Sequence, residues 1–314
     1  MGVPRPDVTL AIALDGPLDL IASLGPLVRG NGDRTIRLTS SSAWLATRTH
    51  DGAATLGLTL TGRRLIAEAW GPGAEHVIDR APRLFSEGTE LLVDAADPRI
   101  AALARRRPGV RVLRTAAVLE SLVPAILEQK VTGAEAHRAW RALVRRYGEP
   151  APGPPELGLR VMPAPNTLAP LPYWAYHEFG VERRRADLIR AIASRPAAFE
   201  AIVDMPFDDG YRRLRAVPGI GPWTAAEVGV RALGDVDAVS VGDFHLPHLV
   251  AFARPMPACS SCSSRTGDGA RWWSGCWSSA ACARRATVRG SHRVGSRPSE
   301  AALSGAEVGR CPSS

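Results

Sequence analysis

The chain has almost no lysine, and its cysteines are confined to one end. Lys130 is the only lysine among 39 basic residues, and all five cysteines lie after residue 258. The first 258 residues therefore exclude a disulfide framework and a cysteine-ligated metal. No apolar run approaches the roughly 20 residues that a membrane helix needs, and Met1 to Asp7 contains no apolar region behind a basic one. These absences predict a cytoplasmic protein.

The charge of the chain is strongly positive. The formal net charge is +8, and the isoelectric point is close to 9.9. Such a charge favours an anionic partner, because clustered basic residues release counterions from a polyphosphate. Arginine-rich composition in a GC-rich genome explains the same charge without any such partner. Charge alone therefore leaves a nucleic-acid-binding protein and an ordinary cytosolic protein both open.

The periodicity of apolar residues changes along the chain and predicts an α+β protein. Alternating residues separated by Gly and Asp turns predict a small antiparallel β-rich domain over residues 1–112, with a helix over 74–85. An all-helical domain is predicted over residues 113–253, beginning with one long amphipathic segment from Ala116 to Arg146. The residues from 254 to 314 are predicted to form an irregular tail. The predicted strands are 8–14, 35–38, 44–49, 54–60 and 64–70.

The segment from Leu214 to Val228 predicts two helices joined by a tight hairpin, Pro218-Gly-Ile-Gly221. Gly219 and Gly221 are expected to adopt backbone conformations closed to other residues, and they leave room for a phosphate to approach. With Ile220 turned inward, the hairpin amides and the next helix N-terminus would form an anion site. A plain helix-turn-helix within a core is the alternative interpretation.

Phosphate contacts supply no chemistry, so a catalytic function needs a carboxylate. Asp243 lies 20 positions after Trp223, at the start of a predicted helix, while Asp235 and Asp237 have the character of loop and cap residues. The arrangement resembles the helix-hairpin-helix glycosylase superfamily, whose members carry an essential Asp after the second hairpin helix. Leu122 to Val131 and the β-rich N-terminal domain extend the resemblance, over residues 8–253, to the bacterial 3-methyladenine DNA glycosylase II (AlkA-like) family.

The resemblance implies a role for each matching residue. The hairpin residues and Thr224 would contact duplex DNA, and Gln129 and Lys130 would fill the gap left by the expelled base. An exposed helix end is the alternative for Gln129 and Lys130. Bifunctional relatives have a Lys two residues after the second hairpin glycine, where it forms a Schiff base. Here that position is Trp223, which implies a monofunctional enzyme that uses water and leaves an abasic site.

The expected substrate is an alkylated, cationic base, because an indole face attracts cations. Trp223 and Glu227, one helical turn apart, would line the base pocket. The family can have an aromatic residue where this chain has Glu227. A tryptophan that packs in the core is the alternative interpretation of Trp223. Asp243 would stabilise the oxocarbenium-like sugar or orient water. The prediction is a monomer near the nucleoid that needs no cofactor or metal. A noncatalytic or inactivated DNA-binding protein is the alternative function.

Two further patterns could indicate metal sites. His245 and His248 form an H-x-x-H pair, but no third ligand is evident, and we predict no zinc there. In the tail, the spacing of Cys259, Cys262, Cys276 and Cys282 does not match that of iron–sulfur members of the superfamily. A metal-binding tail stays an alternative that elemental analysis would test.

The tail differs in composition from the rest of the chain: it holds three of the eight tryptophans, one leucine and no isoleucine. A shifted reading frame explains this composition. Trp and Cys codons begin TG, so stepping back one nucleotide converts each of them to a Leu, Val or Met codon. The converted positions 272, 273, 276 and 277 then have the spacing of an apolar helix stripe. The hypothesis predicts an insertion or deletion near codons 250–258 and a protein with lower stability and weak or absent activity.

Overall fold

The computed structural model describes residues 4–85, 98–244 and 246. The chain divides into two units, Met1–Val250 and Ala251–Ser314, and all the described residues belong to the first. The tail, together with His245 and His248, lies outside the described residues. The predicted domain boundaries and the shifted frame stay predictions.

The N-terminal part is an antiparallel sheet of five described strands, in the order β1-β5-β4-β3-β2. Two tight turns close its central hairpins, because Thr49 pairs with Gly52 and Thr61 pairs with Arg64. All five strands predicted from the alternation are confirmed to within two residues at each end. Their bounds are β1 Val8–Ala13, β2 Ile36–Leu38, β3 Ser42–Thr49, β4 Gly52–Thr61 and β5 Arg64–Trp70.

Two short helices accompany the sheet, α1 (Leu20–Leu24) and α2 (Ala74–Arg80). The helix predicted over 74–85 is shorter than expected, since residues 81–83 form a 3₁₀ turn. Apolar residues of α1, α2 and one sheet face form a buried core that includes Leu24, Leu58 and Leu65.

The remaining described elements are helices. Their bounds are α3 Pro98–Arg106, α4 Val118–Leu127, α5 Gly133–Tyr147, α6 Pro165–Leu168, α7 Tyr173–His177, α8 Arg183–Ala193, α9 Pro196–Glu200, α10 Phe207–Arg215 and α11 Pro222–Val228, the last followed by a π-helical turn over Gly229–Leu233. They surround a second core, in which α4 is buried along most of its length.

The amphipathic segment predicted from Ala116 to Arg146 consists of two helices, α4 and α5. Helix α4 ends at Leu127, Lys130 has a left-handed backbone with φ of 56°, and Thr132 caps the start of α5. Thr132 and Glu135 form a capping box, in which each side chain accepts a hydrogen bond from the other residue's backbone N–H. The apolar stripe continues across this break, so periodicity alone did not reveal it. The break places Gln129 beside the hairpin.

Candidate nucleic-acid interface and active site

The hairpin lies between α10 and α11 and is anchored from inside. Ile220 is 4% exposed and belongs to the helical core, as the sequence predicted. Its backbone N–H donates to the Val217 carbonyl at 3.0 Å. Gly219 has φ of 100°, a conformation that residues with a Cβ rarely adopt. Pro218 is exposed, so the outer surface of the hairpin faces solvent.

Gly221 differs from the expectation. Its φ of −91° and ψ of −180° are extended, a conformation open to any residue, so the prediction that it needs a glycine backbone is wrong. A Cβ built at this position meets no other atom within 4 Å. Glycine is therefore not demanded by the backbone or by the neighbouring side chains. What it provides is open space in front of the first turn of α11.

The first turn of α11 presents backbone donors to this open space. The first helical hydrogen bond runs from the Ala225 N–H to the Gly221 carbonyl at 3.0 Å. The amides of Trp223 and Thr224 precede that bond, and amides at such positions have no acceptor within their own helix. Pro222 has no N–H to leave unpaired. The geometry thus suits an anion placed beside Gly221.

The side chain of Gln129 lies against the inner side of the hairpin. Its Nε2 donates to the Gly219 carbonyl at 3.0 Å and to the Thr224 Oγ1 at 2.9 Å. Thr224 is only 2% exposed, and its hydroxyl contacts Gln129. The contact with DNA that the sequence predicted for Thr224 would therefore involve its backbone amide. Lys130 is exposed. The two residues predicted to act together are therefore placed differently, with Gln129 bracing the hairpin and Lys130 facing solvent.

Trp223 and Asp243, predicted to share one site, are in contact. The indole Nε1 donates to the Asp243 Oδ2 at 2.9 Å, and both residues are partly buried. The other oxygen of Asp243 accepts the Leu246 N–H at 2.8 Å, and the Asp243 N–H donates to the Ser240 carbonyl at 3.1 Å. The Leu246 bond has the geometry of a helix N-cap, as the sequence predicted for Asp243. The carboxylate is thus oriented from two sides.

Glu227, predicted to line the base pocket, is held by other side chains. It forms an ion pair with Arg231 and accepts a hydrogen bond from the Ser240 hydroxyl. Arg231 in turn donates through Nε to the Pro26 carbonyl at 3.3 Å. Both members of the ion pair are about six-sevenths buried, with side chains 13% and 15% exposed. Glu227 therefore ties α11 to Ser240, whose carbonyl accepts the backbone N–H of Asp243.

The two acidic residues that compete with Asp243 as candidates, Asp235 and Asp237, lie together in one loop. Asp235 is buried and accepts hydrogen bonds from the Tyr211 hydroxyl and, at 3.0 Å, from the Asp237 N–H. Burial and the bond to Asp235 raise the pKa of Tyr211 above its usual value. Asp237 is exposed in the same loop. This agrees with their expected loop and cap character, and it leaves Asp243 as the candidate that contacts Trp223.

Sequence reasoning missed two basic residues beside the hairpin. Arg213 and Arg215 are exposed in the last turn of α10, only a few residues before Pro218. Arg215 also lines a shallow groove together with Pro222. Arg212, in the same turn, is paired with Asp209 at 2.5 Å. Three arginines within four positions directly before the hairpin were the signal that could have identified this surface.

Among the described residues, no helix is both long and apolar enough to cross a membrane.

Comparison with known proteins gives consistent results. No protein-family model matches the chain. The chain is 32% identical over 187 residues to a probable bifunctional transcriptional activator/DNA repair enzyme AlkA of Mycobacterium tuberculosis, a match that covers 58% of this chain and 36% of that protein. It is 29% identical over 178 residues to DNA-3-methyladenine glycosylase 2 of Escherichia coli, which covers 55% of this chain and 61% of that protein. The chain thus spans between about a third and three fifths of these relatives.

A solved structure shares the fold. The 3-methyladenine DNA glycosylase from Archaeoglobus fulgidus aligns with a TM-score of 0.65 and 20% sequence identity, covering 77% of this chain and 86% of that one. The likeness confirms the predicted α+β architecture.

Proposed function

We propose that this chain is a member of the AlkA-like DNA glycosylase family and acts as a monofunctional glycosylase that removes alkylated bases of the 3-methyladenine type from duplex DNA, as its similarity to these relatives suggests. The observation that carries the proposal is the hydrogen bond from Trp223 to Asp243, which joins an aromatic face to an oriented carboxylate. Trp223 lies in the first turn of α11, directly after the hairpin. Its hydrogen bond therefore brings the carboxylate of Asp243 to the start of the helix where the proposed backbone-binding surface lies.

DNA binding begins at the hairpin. The unpaired amides at the start of α11 and the space beside Gly221 suit a phosphate, and Arg213 and Arg215 add positive charge next to it. The net charge of +8 supports the same partner. These contacts position the duplex without reading its sequence. The target base then has to be flipped out of the stack, which costs least for a damaged pair.

Asp243 serves the bond cleavage. As the N-glycosidic bond breaks, the electron pair leaves with the base and positive charge develops on the sugar. A carboxylate held in place before the reaction stabilises that charge without reorganising. Water then adds to the sugar and gives up a proton, which leaves an abasic site and the free base. An alkylated base already carries positive charge, so it departs without further protonation.

The residue at position 223 defines the subclass. Glycosylases with lyase activity use an amine to form a Schiff base with the sugar. Trp223 has no amine, and the one lysine of the chain is Lys130, an exposed residue after α4. Trp223 instead offers an aromatic face, which attracts a cationic base by about 0.5 to 2 kcal/mol. Water is therefore the nucleophile that we propose.

Glu227 supports the site as a positioning residue. Its carboxylate is neutralised by Arg231 and holds the Ser240 hydroxyl, three residues before Asp243. A Glu227→Gln variant keeps the shape of the side chain but weakens both bonds. We expect it to lower kcat through a less ordered Asp243 and to leave KM for DNA nearly unchanged.

The direct test is incubation of the full chain with methylated duplex DNA, followed by chromatography of released bases and alkali cleavage of abasic sites. Release of 3-methyladenine is expected, and Asp243→Asn should lower it by at least about 100-fold while duplex binding persists. Asp237→Asn is the matched control, because this exposed Asp lies in the same loop. It should retain full activity.

Three results would overturn parts of the proposal. Duplex binding without base release from the wild-type chain would show a noncatalytic or inactivated DNA-binding protein. Equal losses in Asp243→Asn and Asp237→Asn would remove the special role of Asp243. A protein–DNA adduct trapped by borohydride would show an amine nucleophile and hence a bifunctional enzyme. The expected monomer and its place at the nucleoid stay predictions, which light scattering and fractionation would check.

A further inference from the structure

Two histidines and an aspartate converge on the side of the sheet where β3 turns into β4. One ligand atom from each of His50, Asp51 and His76 lies within 4.8 Å of the other two. Both His50 and Asp51 are exposed, and His76 is partly buried. Sequence spacing does not indicate this group, because His76 is 26 positions from His50 and the spacing matches no familiar metal motif.

The fold holds these side chains on rigid elements. His50 and Asp51 form the two-residue turn between β3 and β4, and the Thr49 Oγ1 accepts the Asp51 N–H and donates to the Gly52 carbonyl, both at 3.1 Å. His76 lies in the first turn of α2. The residue before that helix, Gly73, donates its N–H to the Ala53 carbonyl of β4 at 3.2 Å. The turn and the helix are thus fixed to the same strand.

The donor atoms of the three side chains lie close to one another. The Asp51 carboxylate approaches both histidines, with Oδ1 at 3.1 Å from the His50 Nε2 and Oδ2 at 3.9 Å from the His76 Nδ1. The rings meet edge to face, with their centroids 4.5 Å apart. Ligands about 2.0 to 2.2 Å from a tetrahedral zinc ion lie about 3.3 to 3.6 Å from one another. The three donor atoms lie within 4.8 Å of one another, so rotations of the exposed His50 and Asp51 side chains would have to bring them closer to hold one ion.

We propose that His50, Asp51 and His76 bind a divalent transition-metal ion of the Zn²⁺ type, with its remaining position open to water. Imidazole ligands suit zinc, nickel and copper, whereas Mg²⁺ and Ca²⁺ prefer oxygen ligands alone. The ion joins the β3–β4 turn to α2 and so clamps the helix to the sheet. None of the three ligands belongs to the proposed glycosylase site. The site therefore stabilises the protein and is independent of base removal.

The test is calorimetric titration of Zn²⁺ into the full chain after its cysteines have been alkylated with iodoacetamide, because a free thiolate is itself a metal ligand. We expect one equivalent that His50→Ala, Asp51→Asn and His76→Ala each lose or bind more than about tenfold more weakly. His177→Ala is the matched control: this histidine lies at the end of α7, beside Tyr173 and outside the group. It should bind zinc as the wild type does.

Thermal melts give an independent readout. Zn²⁺ should raise the melting temperature of the wild type and of His177→Ala but not that of His50→Ala, whose exposed turn residue can be removed without disturbing the core. In the unmodified wild type, Zn²⁺ should shift the imidazole ¹⁵N resonances of two histidines. Zinc binding that survives in both His50→Ala and His76→Ala would overturn the proposal. The proposal would also be overturned if the alkylated wild-type protein bound no zinc, even if it retained full glycosylase activity.

Discussion

Replacing Gln129 with leucine tests whether this side chain braces the hairpin or acts on DNA. Leucine is close to glutamine in size, but it cannot donate the two hydrogen bonds that Gln129 makes to the Gly219 carbonyl and the Thr224 hydroxyl. The Thr224 side chain is buried, so its hydroxyl would be left without its present partner in a place that water does not easily reach. We therefore expect Gln129→Leu to destabilise the folded protein.

The magnitude follows from the two bonds. Each hydrogen bond contributes about 0.5 to 1.5 kcal/mol net, so the free energy of unfolding should fall by about 1 to 3 kcal/mol. For a folded unit of this size, each kcal/mol lowers the melting temperature by about 2 to 4 °C. Urea unfolding followed by circular dichroism measures the free energy, and calorimetry measures the melting temperature. Affinity for undamaged duplex should fall as well, because Gly219 and Thr224 flank the phosphate-binding surface.

Lys130→Ala is the control, since it changes the neighbouring exposed side chain and should alter stability by less than about 0.5 kcal/mol. The result that refutes the bracing role is specific. If Gln129→Leu has the melting temperature of the wild type and loses affinity only for DNA that contains an abasic site, the side chain acts on DNA, as the sequence alone predicted.

Three further predictions concern charge, pH and the tail. Arg213→Ala and Arg215→Ala should each weaken duplex binding irrespective of sequence, and each should reduce the slope of log K against log salt concentration by about 1. An unchanged slope would show that the arginine does not contact a phosphate. Burial raises the pKa of Glu120 from 4.5 to about 7, so the folded state binds this proton more tightly than the unfolded state. The free energy of unfolding should then fall as the pH rises between these values. In urea titrations at several pH values, Glu120→Gln should show a weaker dependence of this free energy on pH. Identical pH profiles for the two proteins would contradict the prediction. A gene restored to the alternative frame should yield a protein with a higher melting temperature, because Val241 and Phe244 are 51% and 76% exposed and burying them under apolar residues would stabilise the fold. An unchanged melting temperature, or an intact reading frame near codons 250–258, would count against the shift.

Local patterns were enough to predict much of the fold. The five strands follow from alternation and from turn residues such as Asp51-Gly52, which act over a few positions. The break between α4 and α5 was missed because the apolar stripe runs on through it. Thr132 and Glu135 did have the spacing of a capping box, a local signal that outweighs the periodicity here.

The candidate site shows a similar division. The hairpin motif and the absence of lysine at position 223 could be read from residue types and spacing. The choice of Asp243 over Asp235 and Asp237 rested on the resemblance to the glycosylase superfamily and stays a prediction. The expectation for Gly221 was wrong because glycine in a motif does not reveal whether the backbone or the ligand requires it.

The sequence by itself determined the kinds of groups present: a hairpin that presents amides, an indole where an amine would change the chemistry, and a carboxylate 20 residues later. Only the tertiary structure decided which groups meet. It turned Gln129 towards the hairpin, joined Trp223 to Asp243, linked Glu227 to Ser240, and brought His76 to His50 and Asp51. These contacts join residues on different elements or turns, and their partners depend on how the helices and the sheet pack.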